Sequence, residues 1–367
     1  MSPGRQPLGN GVFSDGSPSG AEEGESGVVN SLSPFQGSTP STVSDPGLAP
    51  RAILFRAFGA ASDPNALTPA QKVEAQEPGA IRVEVNLVNV IATVLDASGR
   101  PLADLPRDAF EIFEEGRAQK IDVFESETQQ PLDLALLVDT SLSTLKEFQF
   151  EQEAAARFIR QVLRPGDRLA VYEFSDVVTQ LTSFSSDVTL LENAVRAMEV
   201  GSGTSLYDAV YLASQALEKH PGGRRRVIVL VTDAGETTSA ATYEDARRMA
   251  LRSEAMLYTI LVRPVKSESG RNTAGEHALI TITDVTGGAM YYPAVPDEFP
   301  AVFDRINQEL RTQYRLGYYP VPRPPERSYR RVELRVKDCQ EVSPSEAKLA
   351  GKCLIRYRKG YFTGQEE

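Results

Sequence analysis

Tryptophan is absent, and histidine and cysteine occur only twice each in 367 residues. So few ligands leave almost no room for a zinc site of His/Cys type, or for Ser-His-Asp and Cys-His catalysis. Positive charge is also short. Lys and Arg number 39 against 50 Asp and Glu, a net charge of −11, which argues against non-specific binding to nucleic acid and favours divalent cations weakly. No run of about 18 apolar residues occurs, so no transmembrane helix is expected. An ordinary signal peptide is missing at Met1. The stretch 51–62, RAILFRAFGAAS, reads either as a displaced remnant of an export signal or as a short amphipathic segment in a tail.

What is present divides into four parts. In the first 50 residues Gly, Ser and Pro fill 26 positions, too polar a composition to offset chain entropy by burial, so residues 1–80 are expected to be a disordered tail. Residues 81–129 carry antiparallel β signals at Arg82–Leu95, Phe110–Glu114 and Ile121–Glu125, with turns at Asp96–Pro101 and Glu115–Gly116. Residues 130–313 alternate strand and helix, the pattern of a doubly wound, mostly parallel α/β sheet. Residues 314–364 return to β, with alternation at Arg331–Lys337 and Cys353–Arg358. Neither β flank is large enough to be stable alone. Three strands from each are expected to combine into one sandwich from which the α/β unit is inserted. The last two strands read as a hairpin with Cys339 and Cys353 at its facing ends, either as a disulfide or as two thiols. A disulfide would imply an oxidising compartment.

The α/β unit is organised around Leu132–Ser143, LDLALLVDTSLS. An unbroken apolar run suits a strand buried on both faces. Its polar end, Asp139-x-Ser141-x-Ser143, falls where open α/β sheets hold their ligands. Two further segments bring oxygen donors to the same edge: Thr204 in Gly203-Thr204-Ser205, and Asp233 in Val231-Thr232-Asp233. Carboxylate and hydroxyl oxygens are hard donors that suit Mg²⁺, Mn²⁺ or Ca²⁺. Taken alone, Asp139, Ser141 and Ser143 could equally cap the following helix.

These three segments, in this order, resemble the von Willebrand factor type A domain and its metal-ion-dependent adhesion site, over roughly residues 130–312. The resemblance implies that Asp139, Ser141, Ser143, Thr204 and Asp233 hold a divalent cation, Mg²⁺ or else Mn²⁺ or Ca²⁺, with Asp233 acting through water. It implies a non-enzymatic, protein-binding function, in which a Glu or Asp of a partner completes the coordination. One departure stands out: Ala234 follows the second aspartate where the family has Gly, and Gly235 comes next. The flanks, at Glu111–Gly116 and Tyr357–Phe362, resemble an acidobacterial group of such proteins, which implies export to the periplasm or beyond. Two rivals stay open. A Mg-dependent phosphatase would need a second carboxylate two residues after Asp139, where Ser141 stands. A purely structural domain would hold no functional metal. Asp208 and Glu236 near the rim read as solvated or capping groups, or as supports for the ligands. His220, His277 and Arg224–Arg226 read as surface residues.

Overall fold

The structure, a computed structural model, describes residues 87–126, 129–142, 148–220, 222–262, 273–337, 339 and 353–364. The tail, the segment 51–62 and Ser143 therefore lie outside the described residues.

The inserted unit is a six-stranded sheet of β5 (Leu132–Asp139), β6 (Arg168–Phe174), β7 (Val178–Gln180), β8 (Arg225–Thr232), β9 (Met256–Leu261) and β10 (Met290–Tyr291). The order is β10-β9-β8-β5-β6-β7. All neighbours are parallel except β7, which runs antiparallel to β6. Every residue of β5 is buried, as its unbroken apolar run requires. Leu134, Leu136 and Val138 face helices α1 (Phe148–Val162), α2 (Val188–Arg196) and α6 (Phe299–Arg311). Ala135 and Leu137 face α3 (Leu206–Glu218), α4 (Tyr243–Arg252) and α5 (Thr273–Thr286). The chain leaves β5 for β6 on one side and later returns to β8 on the other. The carboxyl end of β5 is thus the topological switch point, where a crevice opens. Asp187 caps α2, accepting from Thr189 N and Leu190 N.

The flanks do form one sandwich, but with four strands from each flank rather than three. On the amino side are β1 (Val88–Leu95), β2 (Phe110–Glu114), β3 (Arg117–Gln119) and β4 (Val123–Glu125). On the carboxyl side are β11 (Tyr314–Tyr318), β12 (Tyr329–Val336), β13 (Leu354–Tyr357) and β14 (Gly360–Phe362). They build two sheets, β13-β1-β11-β4 and β14-β12-β2-β3. Each sheet mixes both ends of the chain, and side chains from the two share one apolar core. Phe110 of one sheet sits 4.8 Å from the Tyr314 ring of the other, centroid to centroid. The short strand β3 escaped the sequence reading because three residues show no alternation. Glu115 and Gly116, both at positive φ, turn the chain into it.

The hairpin expectation for the last two strands was wrong. β12 pairs with β2 and β14, whereas β13 pairs with β1 in the opposite sheet. The Cys339–Cys353 disulfide is present, with Cα atoms 5.3 Å apart, and it staples one sheet to the other instead of closing a ladder. No helix among the described residues is long and apolar enough to cross a membrane.

One charged network corrects the surface readings of His220 and Arg224–Arg226, and a second joins the two parts of the fold. Asp133, at the amino end of β5, is fully buried and takes Arg168 at 2.6 Å, Arg224 at 2.6 Å and His220 at 3.0 Å. Burial alone would raise its carboxyl, but the hydrogen bonds from Arg168, Arg224 and His220 outweigh that and hold it below its usual range. Arg225 is only 5% exposed. The arginine run therefore anchors the strand's beginning instead of lying in solvent. Glu309 of α6 is also buried; it accepts Arg356 of β13 at 2.8 and 2.9 Å and the Tyr291 hydroxyl at 2.7 Å. That contact ties the last helix of the α/β unit to the sandwich. Gly287, at φ +80, ends α5, and a Cβ there would lie 2.3 Å from the Tyr357 carbonyl carbon. Only glycine meets both demands.

Inside the sandwich, Glu114 is 2% exposed. Its carboxylate takes Arg330 Nε at 2.9 Å and the hydroxyls of Tyr318 and Tyr361 at 2.8 and 3.0 Å. Burial and this carboxylate push both phenols above their usual range. Glu114→Ala strands a guanidinium and two hydroxyls in the core, and is expected to cost about 3–5 kcal/mol. Urea denaturation of the variant beside the parent measures this.

Candidate metal centre

The rim lies at the carboxyl ends of β5 and β8 and is closed by the loop before α3. Asp139 is the last residue of β5 and is fully buried. Its Oδ1 accepts from the Ser141 backbone N–H at 3.0 Å, and its Oδ2 accepts from the Thr232 hydroxyl at 2.6 Å. Thr232 ends β8, the strand beside it. Burial pushes the Asp139 carboxyl up to about 6; hydrogen bonds from Thr232 and Ser141 oppose the rise, and the nearby charge of Asp233 adds to it. Ser141 is 3% exposed and forms a parallel bridge with Gly201. The first loop is thus bound to the loop that carries Thr204.

Thr204 is held from both sides of its peptide. Its N–H donates to Thr237 Oγ1 at 2.9 Å, and its carbonyl accepts from Thr237 N at 2.9 Å and Thr238 N at 3.2 Å. Ser205 next to it fixes the loop to the turn after β6 through Ser175 O and Asp176 O. Asp233 Oδ1 accepts from Gly235 N at 2.8 Å. The tight spot is Gly235. A Cβ built there would sit 3.0 Å from Asp233 Oδ1 and 3.1 Å from Thr204 Oγ1. Oxygens from two different loops, the turn after β8 and the loop before α3, therefore crowd the position that a side chain at 235 would take.

Of the five expected ligands, Asp139 and Ser141 are joined by a hydrogen bond, Thr204 and Asp233 meet across Gly235, and Asp233 lies close enough to Asp139 to perturb it. Ser143 lies outside the described residues. Among those residues no group of three or more His, Cys, Asp and Glu is arranged to hold a metal ion. Two of the five expected ligands are carboxylates and the other three are hydroxyls. Hard oxygens about a small gap fit a hard divalent cation in kind, with water completing the shell.

Glu236 and Asp208 are loop fasteners. Glu236 accepts from Tyr207 N at the start of α3 and from the Ser239 backbone and hydroxyl. Asp208 accepts from Ala240 N and Ala241 N. The sequence reading missed Thr232, whose hydroxyl also accepts from Ala234 N at 3.0 Å, and Gly235. The departure at Ala234 has a physical counterpart. Its φ is +64, a region that favours glycine, and its methyl is fully buried among α3, α4 and α5 side chains.

Residues 134–236 match the family model of the von Willebrand factor type A domain. The chain carries a von Willebrand factor type A domain. Solved structures with a similar fold include an aerotolerance-related membrane protein from Bacteroides fragilis, 15% identical, covering 49% of this chain and 98% of that one with a TM-score of 0.40. A von Willebrand factor type A protein from Catenulispora acidiphila is 11% identical, covering 70% and 72%, with a TM-score of 0.44. The corresponding domain of the type V pili tip protein Mfa5 from Porphyromonas gingivalis is 14% identical, covering 49% and 95%, with a TM-score of 0.39. No curated protein matches the chain.

Thr232 in this domain serves a buried carboxylate and a buried N–H at once. Thr232→Val keeps the volume and removes both bonds, so it is expected to cost about 2–3 kcal/mol, while Thr232→Ser costs less than about 1.5. Chemical denaturation of the pair, without metal, checks the difference.

Proposed function

We propose that this domain binds another protein through a divalent cation held by Asp139, Ser141, Ser143, Thr204 and Asp233. The observation that carries the reading is the convergence of Asp233 Oδ1 and Thr204 Oγ1 on Gly235, where a built Cβ would lie 3.0 and 3.1 Å from them. Mg²⁺, or Mn²⁺ or Ca²⁺, would supply Lewis acidity toward an oxygen anion, here a Glu or Asp side chain of the partner. The chain's own residues do the rest. Thr232 and the Ser141 N–H fix the Asp139 carboxylate in one orientation. The Thr237 hydroxyl and the Thr237 and Thr238 N–H groups hold the Thr204 peptide, and so aim its hydroxyl. The two carboxylates would offset the divalent charge, and the coordination positions left to water would be open to an acidic group of a partner.

The reading is a binding site and not a catalytic one. Ser141, two residues after Asp139, has no acid–base capacity near neutral pH, which a phosphatase of the rival kind would need there. The Cys339–Cys353 disulfide supports an oxidising compartment, extracellular or periplasmic.

Calorimetric titration with Mg²⁺ and Mn²⁺ tests the proposal. One saturable site is expected, weakened at least ~100-fold in Asp139→Ala, since even partners one step removed from a metal cost 10–100-fold. Capture of binding proteins should be lost in EDTA, and a phosphoester should not turn over. Unchanged cation affinity in Asp139→Ala, or phosphoester hydrolysis that depends on Asp139, contradicts it.

A further inference from the structure

At the opposite end of the sheet from the rim, five arginines converge. Arg224, Arg225 and Arg226 at the start of β8, Arg315 of β11 and Arg358 after β13 line one cleft of about 210 Å³ between the α/β unit and the sandwich, with Glu254 as its single carboxylate. In a protein of net charge −11 such a concentration of one sign runs against the average field.

The internal partners do not balance it. Arg224 donates to Asp133 at 2.6 Å, Arg315 to Glu125 at 2.6 Å and Arg358 to Glu254 at 2.9 Å. Asp133 is shared with Arg168 and His220. The hydrogen bonds of the remaining two go to neutral oxygens. Arg225 reaches the carbonyls of Gln130 and Leu310 and the Gln313 amide oxygen. Arg226 reaches the carbonyls of Ser253 and His220, and its Nε is buried with no hydrogen-bond partner. Asp167 lies near Arg225 but is held by Arg311 at 2.7 Å. Burial and the neighbouring Arg311 pull Arg225 down to about 10, the direction of a charge short of compensation.

We propose that this cleft binds a small oxyanion, of the phosphate or dicarboxylate class. Guanidinium groups are planar forks of N–H donors that match such oxygens two at a time. Partial burial strengthens the attraction by lowering the local dielectric. The cleft walls come from both β8 and the sandwich strands, so a bound anion joins the two parts of the fold. Gly222 lines the cleft, and a Cβ added there meets nothing within 4 Å. It therefore offers a place to introduce a side chain without disturbing the arginines. The site is independent of the cation reading, since no rim residue takes part.

The test is calorimetric titration of the full chain with sodium phosphate and, separately, sodium succinate, in a chloride-poor zwitterionic buffer. EDTA is included so that no cation at the rim recruits either anion. One saturable site for either anion is expected, and the tighter of the two names the class. Arg226→Gln should weaken it at least tenfold. Gly222→Glu, which puts a tethered carboxylate into the cleft and leaves every arginine in place, should do the same. Absence of saturable binding to the parent chain overturns the proposal without recourse to any variant. So does parental affinity in folded Gly222→Glu.

Discussion

A single hydrogen bond, 2.6 Å from the Thr232 hydroxyl to Asp139 Oδ2, joins the ends of two adjacent parallel strands. It lies where burial makes the carboxylate expensive: Asp139 is fully covered, and an ionised group there needs donors or a cation nearby. Everything else at the rim is arranged around that constraint. Ser141 supplies a second donor through its N–H and pairs its loop with Gly201. The Gly201 loop delivers Thr204, and the turn after Thr232 delivers Asp233. The resident dipoles soften the carboxylate's burial without cancelling it, as the upward displacement to about 6 records.

The α/β unit was legible because its signals are strong in one dimension. The apolar run Leu134–Val138 in β5 can be read without knowing the partners, although the burial of Asp133 beside it cannot. The alternation of strand and helix over residues 130–313 likewise needed only local periodicity. The sandwich was legible as an idea but not in detail. Strands of three residues such as β3 and β14 carry no period. The assignment of β12 and β13 to different sheets is decided by pairings with β2 and β1, more than 200 residues away. Likewise, the cysteine spacing suggested a bond but not that it would span two sheets. At the rim, Asp139, Thr204 and Asp233 could be named from their order along the chain. Thr232 and Gly235 could not, because their importance rests on what faces them across a strand boundary. His220 and the arginine run were misread for the same reason: a buried Asp133 was needed to draw them in.

The two ends of the sheet differ in chemical character. The rim collects carboxylates and hydroxyls, with helix and loop peptides turned to support them. The other end collects guanidinium groups against Asp133, Glu125 and Glu254. Glu309 and Arg356 fasten α6 to β13 between them, and Gly287 lets α5 approach the same strand. The sandwich is therefore not a passive appendage. It supplies Arg315 and Arg358 to the cleft and the ion-pair partner of the last helix.

The central claim is that hydroxyl and carboxylate oxygens at the rim share one cation. Crystals grown with Mn²⁺ and measured at its absorption edge test this most directly. The account predicts one anomalous peak in the gap bounded by Asp233, Thr204 and Gly235, adjacent to Asp139. Mn²⁺ peaks found only elsewhere, with that gap filled by water alone, would contradict it.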